Sequence, residues 1–161
     1  MKVILIRHGE AEPHRTDDAG RALTQHGRHQ AQKTGHWLRK SLHHEGGVVC
    51  LLASPYRRAR ETAEVISGQW PLPVGTVEAI TPDTDPRVAL VAIEQASAGA
   101  DIVLVVSHMP LVGALAAWLE TGTVGAGRGF SLAEARVLEA DMLAPGLATT
   151  VDDFIPGITD Q

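Results

Sequence analysis

Three short, unbroken apolar runs constrain the fold of this chain more than any other feature: Val3–Ile6, Val48–Ala53 and Ile102–Val106. Each is too short for a core helix and too uniformly apolar for a strand with one wet face. Each therefore reads as a strand covered on both sides. Helical signals lie between them. Thr24 is the predicted N-cap of a helix that turns Ala31, Trp37, Leu38 and Leu42 to one side and ends at Gly46-Gly47. Ser54-Pro55 predicts a second helix, with the serine as N-cap and the proline at the first helical position, ending near Gly68. Pro86–Ala96 and Pro110–Leu119 read as two more. A short strand is expected at Thr76–Ile80 within a proline-rich loop, and weaker strands at Leu132–Leu138 and Thr149–Ile155. Buried strands alternating with helices predict an α/β fold, a three-layer sandwich with a mostly parallel central sheet flanked by helices.

The 161 residues show no linker or repeat, so one domain over residues 1–161 is expected. A chain of this length buries roughly two thirds of its unfolded surface and needs no disulfide or structural metal. Cys50, the single cysteine, sits inside an apolar run and reads as a small buried hydrophobe. No segment approaches the ~20 apolar residues of a membrane span. The apolar start before Arg7 is too short for a signal-peptide core, so no membrane partner and a cytoplasmic setting are expected.

The net charge of −5 hides a division. Residues 1–61 carry 11 basic and six acidic side chains, whereas residues 62–161 carry three basic and 13 acidic ones. Such asymmetry marks either a nucleic-acid arm or a local anion site. Only six aromatics and no basic run longer than two residues argue against nucleic acid.

In open α/β sheets ligands collect at the carboxyl ends of the strands. The first apolar run is followed by Arg7-His8-Gly9-Glu10, the second by Ser54-Pro55-Tyr56-Arg57-Arg58, and the third by Ser107-His108-Met109-Pro110. Two histidines and two or three arginines delivered to one sheet edge fit a phosphoryl group. Guanidinium forks match phosphate oxygens and stay charged. A neutral imidazole can attack phosphorus, and a second, protonated one can stabilise the equatorial oxygens. Gly9 leaves room for close backbone approach, and the helix after Pro55 adds its N-terminal dipole.

These blocks resemble the histidine phosphatase superfamily, the phosphoglycerate mutase-like fold, and in particular its small SixA-type phosphohistidine phosphatases. The resemblance rests on Arg7-His8-Gly9 after the first strand, Leu23-Thr24-x-x-Gly27, Ser54-Pro55-x-x-Arg58-Ala59-x-x-Thr62 and Ser107-His108-x-Pro110-Leu111-Val112, over about residues 1–140. It implies that His8 is the nucleophile and that Arg7, Arg58 and His108 hold the phosphoryl oxygens. It further implies hydrolysis of phosphohistidine without metal or cofactor. The partner would be a phosphorylated protein, such as a histidine-containing phosphotransfer protein, or a small phosphorylated substrate. A small-molecule phosphomonoesterase acting on sugar or nucleotide phosphates, and a phospho-ligand-binding module without turnover, are the alternatives.

Arg57 and Glu78 are further substrate-binding candidates. Arg57 points about 100° away from Arg58 on a helix, and an i,i+4 pair with Glu61 is its competing role. Larger relatives place an acid in a segment corresponding to Val77–Pro82, where Glu78 stands one position off the expected site. In an extended segment that shift turns the side chain to the opposite face. His26, His29, His36, His43 and His44 lack the i,i+4 spacing of a helical zinc pair and read as a solvated face. Gly125–Gly129 lacks the Lys-Ser/Thr of a P-loop and reads as a loop, with Arg128 a possible rim residue. His14 and Arg15, in the loop after the signature, are either substrate contacts or surface. Trp118 reads as core.

Overall fold

The structure is a computed structural model and describes residues 1–157. Strands β1 (Lys2–Arg7), β2 (Val49–Ala53), β3 (Val74–Thr76), β4 (Ile102–Ser107), β5 (Ala135–Glu139) and β6 (Thr149–Phe154) form one sheet in the order β3-β2-β4-β1-β5-β6. The first four run parallel, while β5 is antiparallel to β1 and β6 to β5. Helices α1 (Gln25–Leu42), α2 (Arg57–Gln69), α3 (Pro86–Ala96) and α4 (Leu111–Thr121) supply the connections.

The apolar runs explain the layering. Side chains alternate across a strand, so a strand apolar at every position demands cover on both faces. Val3 and Leu5 of β1, with Val103 and Val105 of β4, pack against Leu90 and Ile93 of α3 and Leu111 and Leu115 of α4. Ile4, Ile6, Leu104 and Val106 belong to a second core with Leu38 of α1 and Ile66 of α2. Each fully buried aliphatic side chain contributes roughly 1.5–3 kcal/mol. The sheet is thus the middle layer of three, as expected.

Element boundaries depart from expectation where polar side chains have other partners. Thr24 caps α1 as predicted, its Oγ1 accepting from the Gly27 N–H at 2.9 Å. Helix α2, however, begins at Arg57 rather than Pro55, because Ser54 Oγ accepts the Tyr56 N–H and meets His108, which leaves Tyr56 as an N-cap without a side-chain cap. Strand β3 lies upstream of Thr76–Ile80, since Val74–Thr76 pairs with Leu51–Ala53. Val77 and Ile80 enter the core from the turn that follows. Strand β5 starts at Ala135, after Ala133 adopts a positive φ of 59°. Cys50 and Trp118 are half-buried rather than enclosed, and burial raises the Cys50 pKa, which leaves its thiol less reactive. Among the described residues no helix is long and apolar enough to cross a membrane.

Candidate active site

The sheet order makes β2, β4 and β1 parallel neighbours, so their carboxyl ends open on one edge. The ladder continues into the loops: the His8 N–H donates to Ser107 O and the Ser54 N–H to Val106 O, both at 3.0 Å. His8, Ser54 and His108 therefore start from neighbouring main-chain positions. The His8 and His108 rings lie 5.3 Å apart between centroids at 62°. Arg58, the second residue of α2, reaches back so that its Nε donates to His8 Nε2 at 3.3 Å. The hollow lined by Met1, Lys2, Glu45, Asp101 and Glu139 lies away from these three strand ends and contains no histidine.

His8 is 8% exposed, and its Nδ1 lies 2.7 Å from the Gly9 carbonyl oxygen. A carbonyl can only accept, so Nδ1 carries the proton and Nε2 keeps its lone pair. Burial, followed by the Arg58, Arg7 and Arg21 cations, pushes the imidazole down to about 4 against the opposing Gly9 hydrogen bond. It is neutral at working pH, as a nucleophile must be. His108, 1% exposed, is pushed to about 2 by burial first and then by His8 and Arg58. The free site thus holds His108 neutral rather than protonated. Its Nε2 meets Ser54 Oγ at 2.7 Å, and its buried Nδ1 has no partner among the described residues. Tyr56 packs edge-on against its ring at 5.1 Å.

Arg7 leaves β1 and donates from Nη1 to the Phe130 carbonyl at 2.8 Å, while its buried Nε is unpaired among the described residues. Arg58 is 4% exposed. Its Nη1 donates to the Asp18 carbonyl at 2.8 Å and its Nη2 to Asp18 Oδ2 at 3.2 Å. Burial lowers both arginine pKa values, yet both groups remain cationic.

Four residues around these were given no part in the site by sequence reasoning, although Thr62 stands in one of the motif blocks and Glu61 is the expected partner of Arg57. Asp18 also pairs with Arg21 Nε at 2.8 Å, which places a third guanidinium within electrostatic reach of both histidines. Thr62 accepts the Gly9 N–H at 3.1 Å and donates to Arg58 O at 2.8 Å, tying the first loop to α2. Glu61 accepts the Leu23 N–H at 2.8 Å and anchors the other end of that loop. Thr62 does carry a signal, standing one helical turn after Arg58. Glu61 carries only its i,i+4 spacing from Arg57, and Asp18 and Arg21 carry none that separates them from other charged residues.

The remaining candidates fall outside the central cluster. Gly9 meets backbone: a Cβ there would lie 2.6 Å from Gly27 O, so the close approach it permits is to α1. Arg57 Nε pairs with Glu61 Oε2 at 3.2 Å, its competing role. Glu78 is exposed on the turn after β3. His14 and Arg15 are exposed, His14 lying 3.5 Å from Asp18 and Arg15 bonding Gly20 O. Arg128 is exposed and faces Asp153 of β6. His26, His29, His36, His43 and His44 are exposed, and among the described residues no group of three His, Cys, Asp or Glu is placed to hold a metal.

A parallel-sheet edge that joins two buried neutral histidines to three guanidinium groups defines an enzyme of phosphoryl chemistry with a histidine at its centre. Comparison with known proteins gives that class its family. Residues 3–81 match the histidine phosphatase superfamily (branch 1). The phosphohistidine phosphatase SixA homolog of Haemophilus influenzae is 35% identical over 126 residues, covering 74% of this chain and 77% of that protein. Phosphohistidine phosphatase SixA of Escherichia coli K12 is 31% identical over 125 residues, 76% of each. The structure of the protein histidine phosphatase SixA complexed with tungstate superposes with a TM-score of 0.83 at 28% identity over 97% of both chains. This chain belongs to the histidine phosphatase superfamily, and among its members it is similar to SixA.

Proposed function

We propose that this protein is a phosphohistidine phosphatase whose nucleophile is His8. The carrying observation is the Nδ1 contact with the Gly9 carbonyl, which holds the lone pair on Nε2 beside Arg58. Nε2 attacks phosphorus, the phosphorus–nitrogen bond of the substrate breaks, and its electron pair leaves with the substrate imidazole, which takes up one proton. Water then attacks the phosphoryl group on His8, and the pair returns to Nε2 as inorganic phosphate departs. Arg7 and Arg58 hold phosphoryl oxygens with charged N–H donors, and the neutral His108 offers Nδ1–H to a third.

The substrate class follows from the leaving group. An imidazole, with an ordinary conjugate-acid pKa near 6.5, departs far more readily than an alkoxide. A site whose acid candidate, Glu78, is exposed and away from the central cluster suits phosphohistidine better than a sugar phosphate. The names and similarity of the SixA relatives support the same reading. A phosphorylated protein with an accessible phosphohistidine is the expected partner.

A phosphate-release panel comparing a phosphohistidine protein with sugar and nucleotide phosphates tests the substrate, and EDTA is expected to leave activity unchanged. Quenching with labelled substrate is expected to trap an acid-labile, base-stable phosphoenzyme. Labelling or normal turnover by His8→Ala would overturn the mechanism, and tight phosphopeptide binding without phosphate release would overturn the enzyme reading.

A further inference from the structure

Behind the site lies a buried charged group that the chemistry above does not use. Arg136 of β5 and Glu134 are 2% and 1% exposed and pair at 3.0 Å between Nη2 and Oε2. Two charges so deep in a small fold are costly unless they are hydrogen-bonded to a purpose. Asp153 of β6 lies against Glu134, and the pair's bonds to the main chain converge on the segment 128–134. The Arg136 Nη2 donates to Gly129 O at 2.8 Å, and Nη1 to Arg128 O at 3.5 Å. The Arg136 guanidinium carbon lies 3.7 Å from the Phe130 ring centroid. Glu134 Oε1 accepts the Ser131 N–H at 2.8 Å. Carbonyls, ring and amide on either side of residue 130 are thus held from one side.

The same segment is joined to the first strand from the other side. Arg7 Nη1 donates to Phe130 O at 2.8 Å, the Arg7 N–H to Glu134 O at 3.1 Å, and the Ala133 N–H to His8 O at 3.1 Å. Among the described residues, Phe130 O is the one hydrogen-bond acceptor of the Arg7 guanidinium. Where that carbonyl points decides where the guanidinium plane lies.

We propose that Arg136 is a positioning residue for the phosphoryl site, fixing the Phe130 carbonyl, and through it the guanidinium of Arg7. The proposal rests on Arg7 holding the phosphoryl group. A buried fork that binds two successive carbonyls and stacks on the ring of the next residue cannot be replaced by an ammonium point charge. Arg136 never touches substrate; it removes freedom from a residue that does.

The test is a double-mutant cycle on the affinity for inorganic phosphate, followed by calorimetry at fixed pH and salt. Arg7→Met alone is expected to weaken phosphate binding about tenfold or more, the loss of one charge-assisted fork. Arg136→Lys, which keeps a cation opposite Glu134, is expected to weaken it about three- to tenfold in the native background and less than twofold in the Arg7→Met background. Should Arg136→Lys not fold, the paired change Arg136→Met/Glu134→Gln removes both charges together and carries the same expectation. An unchanged phosphate affinity in Arg136→Lys, or an equal loss in both backgrounds, overturns the positioning role and leaves the site reading intact. An Arg7→Met protein that binds phosphate normally overturns the reading of the site and the proposal with it.

Discussion

Asp18 closes over Arg58 with both its side chain and its main chain, the carboxylate taking Nη2 at 3.2 Å and the carbonyl taking Nη1 at 2.8 Å. Although burial works to raise the Asp18 pKa, Arg58 and Arg21 overcome it and hold the group ionised below its ordinary value. Asp18 therefore orients Arg58 while setting a negative charge near the place a phosphoryl dianion must occupy. Asp18→Asn keeps an acceptor for Nη2 and removes that charge, so inorganic phosphate is expected to inhibit about threefold more tightly. Asp18→Ala removes both and is expected to lower kcat instead. Steady-state inhibition and turnover measured on the two variants separate the effects; identical behaviour would sink this account.

The depressed histidines set a pH dependence of stability. His8 titrates near 4 in the folded protein and near 6.5 when unfolded, so between those values the unfolded chain binds the extra proton. Stability is therefore expected to fall as pH drops from 6.5 towards 4. His8→Gln is expected to flatten that slope in denaturant midpoints at pH 7.5, 6 and 5. An NMR titration of the His8 ring is expected to give a midpoint near 4, and a midpoint near 6.5 would contradict the packing described.

Thr62 is fully buried and bonds both the loop that carries the nucleophile and the helix that carries Arg58. Thr62→Val keeps the shape and orphans the Gly9 N–H. The expected cost is about 1–3 kcal/mol of stability, with a drop in kcat, read by chemical denaturation and by turnover. A neutral substitution would show that the Gly9 amide finds another acceptor.

Asp153 shows the opposite linkage from His8. Burial first, then Glu134, raises its pKa to about 6, so it is held in the folded state as an unwelcome charge above that pH. The folded protein binds the extra proton between pH 3.8 and 6, and stability from this group falls as pH rises through that window. Asp153→Asn is expected to raise Tm at pH 7.5 and to leave it unchanged near pH 4. A calorimetric scan at each pH decides it.

The parallel strands were legible because apolar runs with no polar alternation admit few other readings, and the strand-end rule then located His8, Arg58 and His108. Helix starts were less legible. Ser54-Pro55 has the form of a helix start, but only the fold brings His108 to Ser54 Oγ and draws that hydroxyl away from capping. Asp18 and Arg21 lie in a turn-rich stretch without periodicity, so nothing local distinguishes the carboxylate that turns inward from Asp17, which stays exposed. The Glu134–Arg136 pair sits at i,i+2 across the start of β5, a spacing that in extended chain signals only a shared face.

The main chain at Gly9 and Gly27 meets so closely that an added Cβ at Gly27 would fall 2.1 Å from Glu10 O. Thr24 N–H bonds the same carbonyl at 3.0 Å, and Gln30 Oε1 takes the Glu10 N–H at 2.8 Å. The nucleophile is thereby riveted to the opening turn of α1, not merely to the end of its own strand. Loss of that one turn releases the loop beneath His8 while the six-stranded sheet is still whole. Inactivation on mild heating is therefore expected to precede the melting of the core, with activity lost at a lower temperature than the calorimetric transition.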